Sequence, residues 1–221
     1  MEKLQSSFRN MVLSLTLIAL VAAGALGGVF LLTKEPIAQQ QQAKQNSAIG
    51  SVLPDVEGRT IREPETVNGY TVHEAFVADS LIGVAVETES NGFGGTIRLM
   101  VGFDAEGNIV NYEVLEQQET PGLGTHIVEW FKTDKNHQSV LGLNPAATNL
   151  TVSKDGGAVD AITAATISSR AFLLAIQNAF NAYFANADEP VEATSGASCL
   201  NDSIAALNND TTNLVNIEYN E

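Results

Sequence analysis

The sequence predicts an α+β domain with a largely antiparallel sheet, preceded by one N-terminal transmembrane helix. Three observations support this class: an uncharged apolar run at 11–32, β-rich segments between 70 and 115, and an amphipathic helical pattern at 168–184. About 20 apolar residues cross a bilayer core as a helix. Strands that come first and a helix that closes the domain are typical of α+β folds rather than of alternating α/β folds.

The composition excludes several classes of protein. The 221 residues include 11 Lys and Arg against 26 Asp and Glu, a formal net charge of −15. A nucleic-acid binder needs a basic surface to neutralise phosphates, so we expect no nucleic-acid partner. The single cysteine, Cys199, permits no internal disulfide, and no nearby basic side chain activates its thiol. The three histidines are differently patterned and predict no metal site.

The apolar run at 11–32 is interpreted as an uncleaved membrane anchor behind a short cytoplasmic N-terminus at 1–10. The alternative is a cleaved signal peptide, whose apolar region is roughly 7–15 residues long and ends before a small-residue cleavage site. Here the run is longer, and the small residues at 24–28 lie inside it. These two features favour the anchor.

The side of the membrane is less well defined by the sequence. Lys3 and Arg9 precede the run and Lys34 and Lys44 follow it, so the positive-inside count is equal on the two sides. Of the 26 acidic residues only Glu2 precedes the run. An acidic domain is repelled by the anionic cytoplasmic leaflet. We therefore expect a single-pass protein of the inner membrane with its domain on the periplasmic, outer side.

The rest of the chain divides by composition into three parts. Residues 33–50 are polar, with a run of glutamines, and are interpreted as a spacer that either is irregular or continues the anchor helix. Residues 51–187 form the single predicted domain. Residues 188–221 hold seven acidic residues and no Lys or Arg, which predicts a mostly disordered tail.

Within the domain, alternating and β-branched segments predict four strands and a closing helix. An Asp/Gly/Asn-containing turn at 104–108 between two such segments predicts a hairpin. Apolar residues at spacings of three and four predict the helix. The expected elements are strands at 70–77, 81–88, 96–103 and 109–115, a short helix at 127–132, short strands at 150–152 and 158–162, and a helix at 168–184.

Two glycine-rich segments are candidates for contact with a ligand. Asn91–Gly95 leads into the strand at Thr96, and Glu119–Gly124 contains Pro121 and two glycines. Glycine permits backbone conformations closed to other residues and allows a ligand to approach the main chain. Taken alone, each segment is more commonly a turn than a site.

A third candidate, Asp160–Arg170, ends a short strand and begins the best helix. Hydroxyl residues at such a position are typical helix caps. The same free amides and the helix dipole also attract an anion such as phosphate, and Arg170 adds positive charge. Capping and anion binding are both consistent with the residues of this segment.

The pattern Asp160-x-x-Thr163-x-Ala165-Thr166 resembles the flavinylation motif of the FMN-binding domain family. In that family the last hydroxyl residue is joined to FMN through a phosphoester by a dedicated flavin transferase. The order of anchor, Gly-Phe-Gly-Gly, hairpin, Glu-Thr-Pro-Gly-Leu-Gly and this motif resembles the G subunits of Rnf electron-transport complexes, over roughly residues 5–186. One departure is Ala164, where the family usually has Gly.

The resemblance implies covalent FMN at Thr166, with Asp160 and Thr163 in the sequence that the transferase recognises. The cofactor-binding residues that it implies are Asp160, Thr163, Ala165, Thr166, Thr120, Leu123 and Gly124. It further implies an electron-transfer subunit of a ferredoxin:NAD⁺ oxidoreductase that pumps Na⁺ or H⁺, with the other membrane subunits of the Rnf complex as partners. The alternatives are the C subunit of the Na⁺-translocating NADH:quinone reductase and an anchored, non-redox binding protein.

Overall fold

The structure, a computed structural model, describes residues 8–185. The predicted tail at 188–221, with Cys199, lies outside the described residues. The chain divides into two compact units between Lys44 and Gln45. The helices and strands are α1 (Phe8–Val52), β1 (Thr60–Ile61), β2 (Glu65–Val67), β3 (Tyr70–Val77), β4 (Ser80–Asn91), β5 (Thr96–Asp104), β6 (Ile109–Glu116) and α2 (Thr166–Phe184).

The first unit consists of the N-terminal part of α1. This helix contains 45 residues and is long and apolar enough to cross a membrane. Large apolar side chains between Met11 and Leu32 are exposed along it, as expected of a helix whose surroundings are lipid rather than protein. The helix continues through Pro36 and through the segment interpreted as a spacer, and it ends at Val52.

The second unit is built on a six-stranded antiparallel sheet. Five strands follow the order β1-β3-β4-β5-β6, and β2 pairs with β3 beside β1. The long central strands β3, β4, β5 and β6 are consecutive neighbours joined by short turns. The predicted α+β class with a largely antiparallel sheet is confirmed.

The turn between β5 and β6 explains why this hairpin is visible in the sequence. The Asp104 carboxylate accepts hydrogen bonds from the backbone N–H groups of Glu106 (3.0 Å) and Asn108 (2.8 Å). Gly107 adopts a φ of +85°, which favours glycine. A Cβ at Gly107 would also lie 2.8 Å from the Phe180 ring, so the turn packs closely against α2.

Helix α2 covers the inner face of the sheet and fills the main core. Its Phe172 ring stacks on Phe131 with 4.4 Å between centroids, and Phe180 meets Phe103 edge-to-face at 5.9 Å. The buried Thr88 hydroxyl of β4 donates to the Ala175 carbonyl at 3.0 Å. These contacts fix the helix along the sheet, and therefore also fix where its first turn lies.

The outer face of the sheet is covered by the last turns of α1. Ala48, Ile49 and Val52 are buried against small and apolar side chains of the central strands. A Cβ at Gly102 of β5 would collide with the backbone carbonyl of Val52, so glycine permits this close approach. The compact unit accordingly begins at Gln45, inside the stretch interpreted as a spacer, because apolar residues near 48–53 pack on the sheet.

Two other expectations differ from the structure between β6 and α2. The helix expected at 127–132 is instead two 3-10 helices, Gly124–Val128 and Trp130–Lys132. The strands expected at 150–152 and 158–162 form only one parallel bridge, Val152 to Val159. Parallel strands need a crossover of a dozen or more residues, and the intervening segment is too short for one.

Candidate functional site

The three segments that the sequence identifies as candidates meet at one cleft beside the start of α2. Its volume is about 500 Å³. Segments that are far apart in the sequence therefore contribute to one surface, which only the packing of α2 on the sheet brings together. The cleft is lined by Phe93, Glu119, Thr120, Leu123, Gly124, Ala164, Ala165, Thr166, Ile167 and Ser168.

The first wall is the turn between β4 and β5. The Gly92 N–H donates to the Gly95 carbonyl at 2.9 Å and closes this turn. Phe93 at its tip is 69% exposed. A large apolar ring held at the mouth of a cleft offers a contact surface for a planar ligand. The sequence identified this turn but not Phe93 as a lining residue.

The second wall is the loop Glu119–Gly124, which folds as a tight turn. The Leu123 N–H donates to the Thr120 carbonyl at 3.1 Å, and Gly122 has a φ of +75°. Proline at the second position and a glycine with positive φ at the third are the features of a type II turn. The turn leaves Leu123 41% exposed toward the cleft and leaves Thr120 exposed as well.

Gly124 permits the loop to approach α2 closely. This residue is buried, and a Cβ there would lie 2.8 Å from both the Glu119 Cβ and the Ser168 Oγ. Any side chain at this position would separate the loop from the first turn of the helix. The glycine therefore has a packing role in addition to lining the cleft.

The third wall is the turn that leads into α2. The Ala165 N–H donates to the Ile162 carbonyl at 3.0 Å. The Ser169 Oγ accepts from the Ile162 N–H and donates to the Ala165 carbonyl, both at 3.0 Å. These bonds fix the entry of the chain into the helix. Ala164, the third residue of the turn, adopts a φ of +63°, a conformation that favours glycine.

Thr166 is the first residue of α2, two positions before the start expected from periodicity. The residue before it, Ala165, occupies the N-cap position and has no side-chain capping bond. The hydroxyl-capping interpretation of this segment therefore does not describe the helix start. Thr166 is half-buried in the cleft, and its hydroxyl makes no hydrogen bond to the residues at 8–185. The first amides of a helix lack intrahelical partners.

Asp160 and Thr163 do not line the cleft. The Asp160 carboxylate accepts hydrogen bonds from the Ser153 hydroxyl at 2.8 Å and from the His137 N–H at 3.4 Å. The Ser153 hydrogen bond, followed by that from His137, lowers the pKa of Asp160 below its ordinary value. Its backbone carbonyl accepts from the Trp130 indole at 3.0 Å. Asp160 thus orders the loop before the cleft, whereas Thr163 is exposed.

Arg170 is engaged by another residue rather than directed at the cleft. Its guanidinium donates two hydrogen bonds of 2.7 Å to the two carboxylate oxygens of Asp155. The Arg170 hydrogen bond is the main reason that the pKa of Asp155 is lowered. The positive charge that the sequence suggested for an anion site is therefore largely compensated by Asp155.

The structure brings five of the seven sequence-predicted site residues to the cleft: Thr120, Leu123, Gly124, Ala165 and Thr166. The other five lining residues lie within the three candidate segments but were not assigned as site residues from the sequence: Phe93, Glu119, Ala164, Ile167 and Ser168. For Glu119 the signal available was its place at the head of the proline- and glycine-rich loop. Its burial, at 5% exposure, depends on contacts with distant residues that no local pattern contains.

Comparison with known proteins identifies the family. Residues 92–181 match the FMN-binding domain family, and residues 1–52 match the N-terminal region of RnfG. The G subunit of the ion-translocating oxidoreductase complex of Yersinia pestis is 34% identical over 179 residues, which cover 73% of this chain and 85% of that protein. The chain belongs to the family of G subunits of ion-translocating oxidoreductase complexes.

Two further relatives, also G subunits of such complexes, show the same extent of similarity. The protein of Vibrio vulnificus is 29% identical over 189 residues, covering 78% of this chain and 88% of its own length. That of Escherichia coli K12 is 32% identical over 181 residues, covering 73% and 85%. The FMN-binding match at 92–181 contains the second and third walls completely and nearly all of the first.

The residues of the cleft fit an FMN. A volume of about 500 Å³ lies within the range of small-molecule sites, roughly 300–1,000 Å³. Phe93, Leu123 and Ile167 provide apolar surface suited to a flavin ring. The hydroxyls of Thr120 and Thr166 and the amides at the helix start provide polar groups suited to a ribityl chain and a phosphate.

We predict that Ala164→Gly stabilises the domain. A left-handed backbone costs an L-residue about 1–2 kcal/mol, which glycine avoids. Glycine also loses more conformational entropy on folding than alanine does, which lowers the gain by about 0.5–1 kcal/mol. The free energy of unfolding should therefore rise by up to about 1.5 kcal/mol, as measured by urea denaturation of the detergent-extracted chain.

The matched control is Ala158→Gly, the same chemical change at an exposed position without positive φ. This substitution should lower the free energy of unfolding. If both substitutions lower it equally, the Ala164 conformation is not strained.

Proposed function

We propose that this chain is a membrane-anchored flavoprotein subunit that carries FMN through a phosphoester on Thr166. In this proposal it relays electrons within an ion-translocating ferredoxin:NAD⁺ oxidoreductase of the Rnf type. The observation that carries the proposal is Thr166, which lines the cleft at the first position of α2 and whose hydroxyl makes no hydrogen bond to residues 8–185. The family match to FMN-binding domains supports it.

The start of α2 suits a phosphoester. A phosphate attached at the first helical position lies beside the free amides and the positive end of the helix dipole. No acidic residue occupies the first turn of α2, so no side chain within that turn repels the phosphate. The helix would thus stabilise the charge of the link without a basic side chain.

A covalent link suits an open cleft. The occupancy of a dissociable cofactor depends on its free concentration relative to its Kd, and outside the cytoplasm that concentration is low. A phosphoester removes this dependence, so the cleft needs to orient the flavin rather than enclose it. The flavin ring supplies the redox chemistry, and the protein positions it and adjusts its potential.

In the same proposal, the loop Glu119–Gly124 shapes the surroundings of the flavin ring. Leu123 excludes water from one part of the cleft, and the Thr120 hydroxyl is available to a ring or ribityl oxygen. Ala165 and Gly124 have little or no side chain, so they leave room for the cofactor beside the helix start.

The proposed partners are a flavin transferase during maturation and the other membrane subunits of the complex. Thr163 is exposed and therefore accessible to a transferase. Asp160 would act in recognition by holding the loop through Ser153 and His137. The relatives from Yersinia pestis and Vibrio vulnificus are subunits of ion-translocating oxidoreductase complexes, which supports a role within such an assembly. In this proposal the coupling ion is Na⁺ or H⁺.

Two alternatives are less well supported. The C subunit of the Na⁺-translocating NADH:quinone reductase is a related flavoprotein, but the three relatives compared with this chain are G subunits. A non-redox binding protein would use Thr166 as a helix cap, and the N-cap position is instead occupied by Ala165. Yellow colour and in-gel fluorescence after denaturation would separate a covalent flavoprotein from a non-redox protein.

We predict that Thr166→Ala yields a folded, colourless protein, because the variant lacks the oxygen that forms the phosphoester. The unsubstituted chain, produced together with a flavin transferase, should have the mass of the polypeptide plus about 438 Da, the mass of FMN less water. Intact-mass spectrometry of the membrane-extracted chain measures this directly.

Two variants serve as controls for this experiment. Thr166→Ser retains a hydroxyl at the same position and should still carry the adduct. Thr148→Ala removes a threonine hydroxyl elsewhere in the domain and should not change loading. Persistence of the covalent flavin in Thr166→Ala contradicts the assignment.

A second prediction concerns the membrane side. We predict that the acidic domain lies on the periplasmic side. Protease added to intact spheroplasts should therefore digest residues 45–185. A cytoplasmic marker protein should stay intact in the same sample. Protection in spheroplasts together with digestion in inverted vesicles would place the domain on the cytoplasmic side instead.

The loop Glu119–Gly124 gives a third prediction. Because only the phosphate end is covalently attached, Leu123→Ala and Thr120→Ala should remain fully flavinylated. Both should shift the flavin absorption spectrum or the midpoint potential, since they change polarity and hydrogen bonding near the ring. Val128→Ala, which truncates an exposed apolar side chain outside the cleft, is the matched control. Unchanged spectra and potentials in both loop variants would show that the loop is only a turn and does not shape the surroundings of the flavin.

A further inference from the structure

Glu119 is a buried acid at the cleft without a cationic partner. The residue is 5% exposed, and none of the ion pairs among residues 8–185 includes it. Its Oε1 accepts from the Gly94 N–H at 3.2 Å, and its Oε2 accepts from the Ser168 hydroxyl at 2.7 Å. Both oxygens of the carboxyl group therefore have a hydrogen-bond donor.

These two bonds join two walls of the cleft. Gly94 belongs to the turn between β4 and β5, and Ser168 belongs to the first turn of α2. Glu119 itself stands at the head of the loop that forms the second wall, so one side chain connects all three walls. Its position is further fixed by its own N–H, which donates to the Gln117 Oε1 at 2.7 Å.

The surrounding glycines show that the carboxylate fills its site. A Cβ at Gly92 would collide with Glu119 Oε1, and a Cβ at Gly124 would lie 2.5 Å from Oε2. Two glycines at different places in the sequence therefore leave room for one carboxylate. Burying an ionised group is unfavourable unless its hydrogen bonds are satisfied. Both oxygens of Glu119 have such a partner, in Gly94 and Ser168.

We propose that Glu119 is the positioning residue of the flavin cleft, with two roles. Its carboxylate holds the Asn91–Gly95 turn, and with it Phe93, against the start of α2. Its negative charge beside the cleft lowers the reduction potential of the flavin, because a nearby negative charge opposes the addition of an electron. The second role rests on the proposed function, and the first does not.

The positioning role is tested without flavin, in the full chain carrying Thr166→Ala. Hydrogen–deuterium exchange of the peptide that contains residues 91–95 reports on the Gly94 N–H and its turn. Glu119→Ala removes both bonds and should make exchange in this peptide several-fold faster. Glu119→Gln keeps an acceptor for Gly94 and offers its amide N–H to Ser168, so it should exchange as the parent does. Exchange equal to that of the parent in Glu119→Ala overturns this role.

The charge role is tested in the flavin-loaded full chain. Glu119→Gln keeps the shape and removes the charge, so loading should equal that of the unsubstituted chain while the midpoint potential becomes more positive. The control is Glu129→Gln, which removes an equal charge from an exposed surface position and should leave the potential unchanged. A potential in Glu119→Gln equal to that of the unsubstituted chain overturns the charge role.

The two readouts separate this proposal from the proposed function. An unsubstituted chain without the covalent adduct contradicts the proposed function and with it the charge role, and the exchange experiment still decides the positioning role. If Glu119→Ala does not fold, faster exchange of the 91–95 peptide in Ser168→Ala, which removes one of the two bonds, supports the positioning role. An unchanged rate in that variant overturns it.

Discussion

The cleft depends on one constraint, the close approach of the first turn of α2 to the loop that begins at Glu119. The rest of α2 imposes this approach: Phe172 and Phe180 are packed on aromatic rings of the sheet and its covering loops, and burial of each such ring contributes about 1.5–3 kcal/mol. The helix start buries only the small residues Ala165, Ser168 and Ser169, so its position is fixed mainly by the body of the helix. Gly124 is the local requirement, because any side chain there would enter the space of Ser168.

The local elements were predictable from the sequence because their signals are local. The Asp104 turn contains its own hydrogen-bond acceptor, and the apolar spacing of 168–184 follows the helical period. Thr166 was assigned through resemblance, since the residues alone favoured a helix cap. Glu119 was not assigned because its burial results from Gly94 and Ser168, which lie 25 and 49 positions away. Contacts between residues so far apart in the sequence cannot be recognised from a local sequence pattern.

Ala164 illustrates a different limit of sequence reasoning. A methyl group there is free of strain only if the backbone is not left-handed, and the turn holds Ala164 at a φ of +63°. The strain persists because Ser169 bonds both ends of the turn and the helix beyond it is firmly packed. Strained residues that are held by their surroundings are concentrated at functional sites. The strained turn leads directly into α2, whose first residue, Thr166, lines the cleft.

The electrostatic potential in the cleft is set by the charged groups around it. None of the ten lining residues is basic, and Arg170, which follows the helix start, is bonded to Asp155. In the proposed function a phosphoester adds one negative charge beside that of Glu119, and the compensating positive charge is the partial charge of helix amides. Such a dipole amounts to about half an elementary charge and acts over the first turn only. The flavin ring would therefore lie in a negative field, which favours the oxidised state and makes the reduced cofactor a ready electron donor.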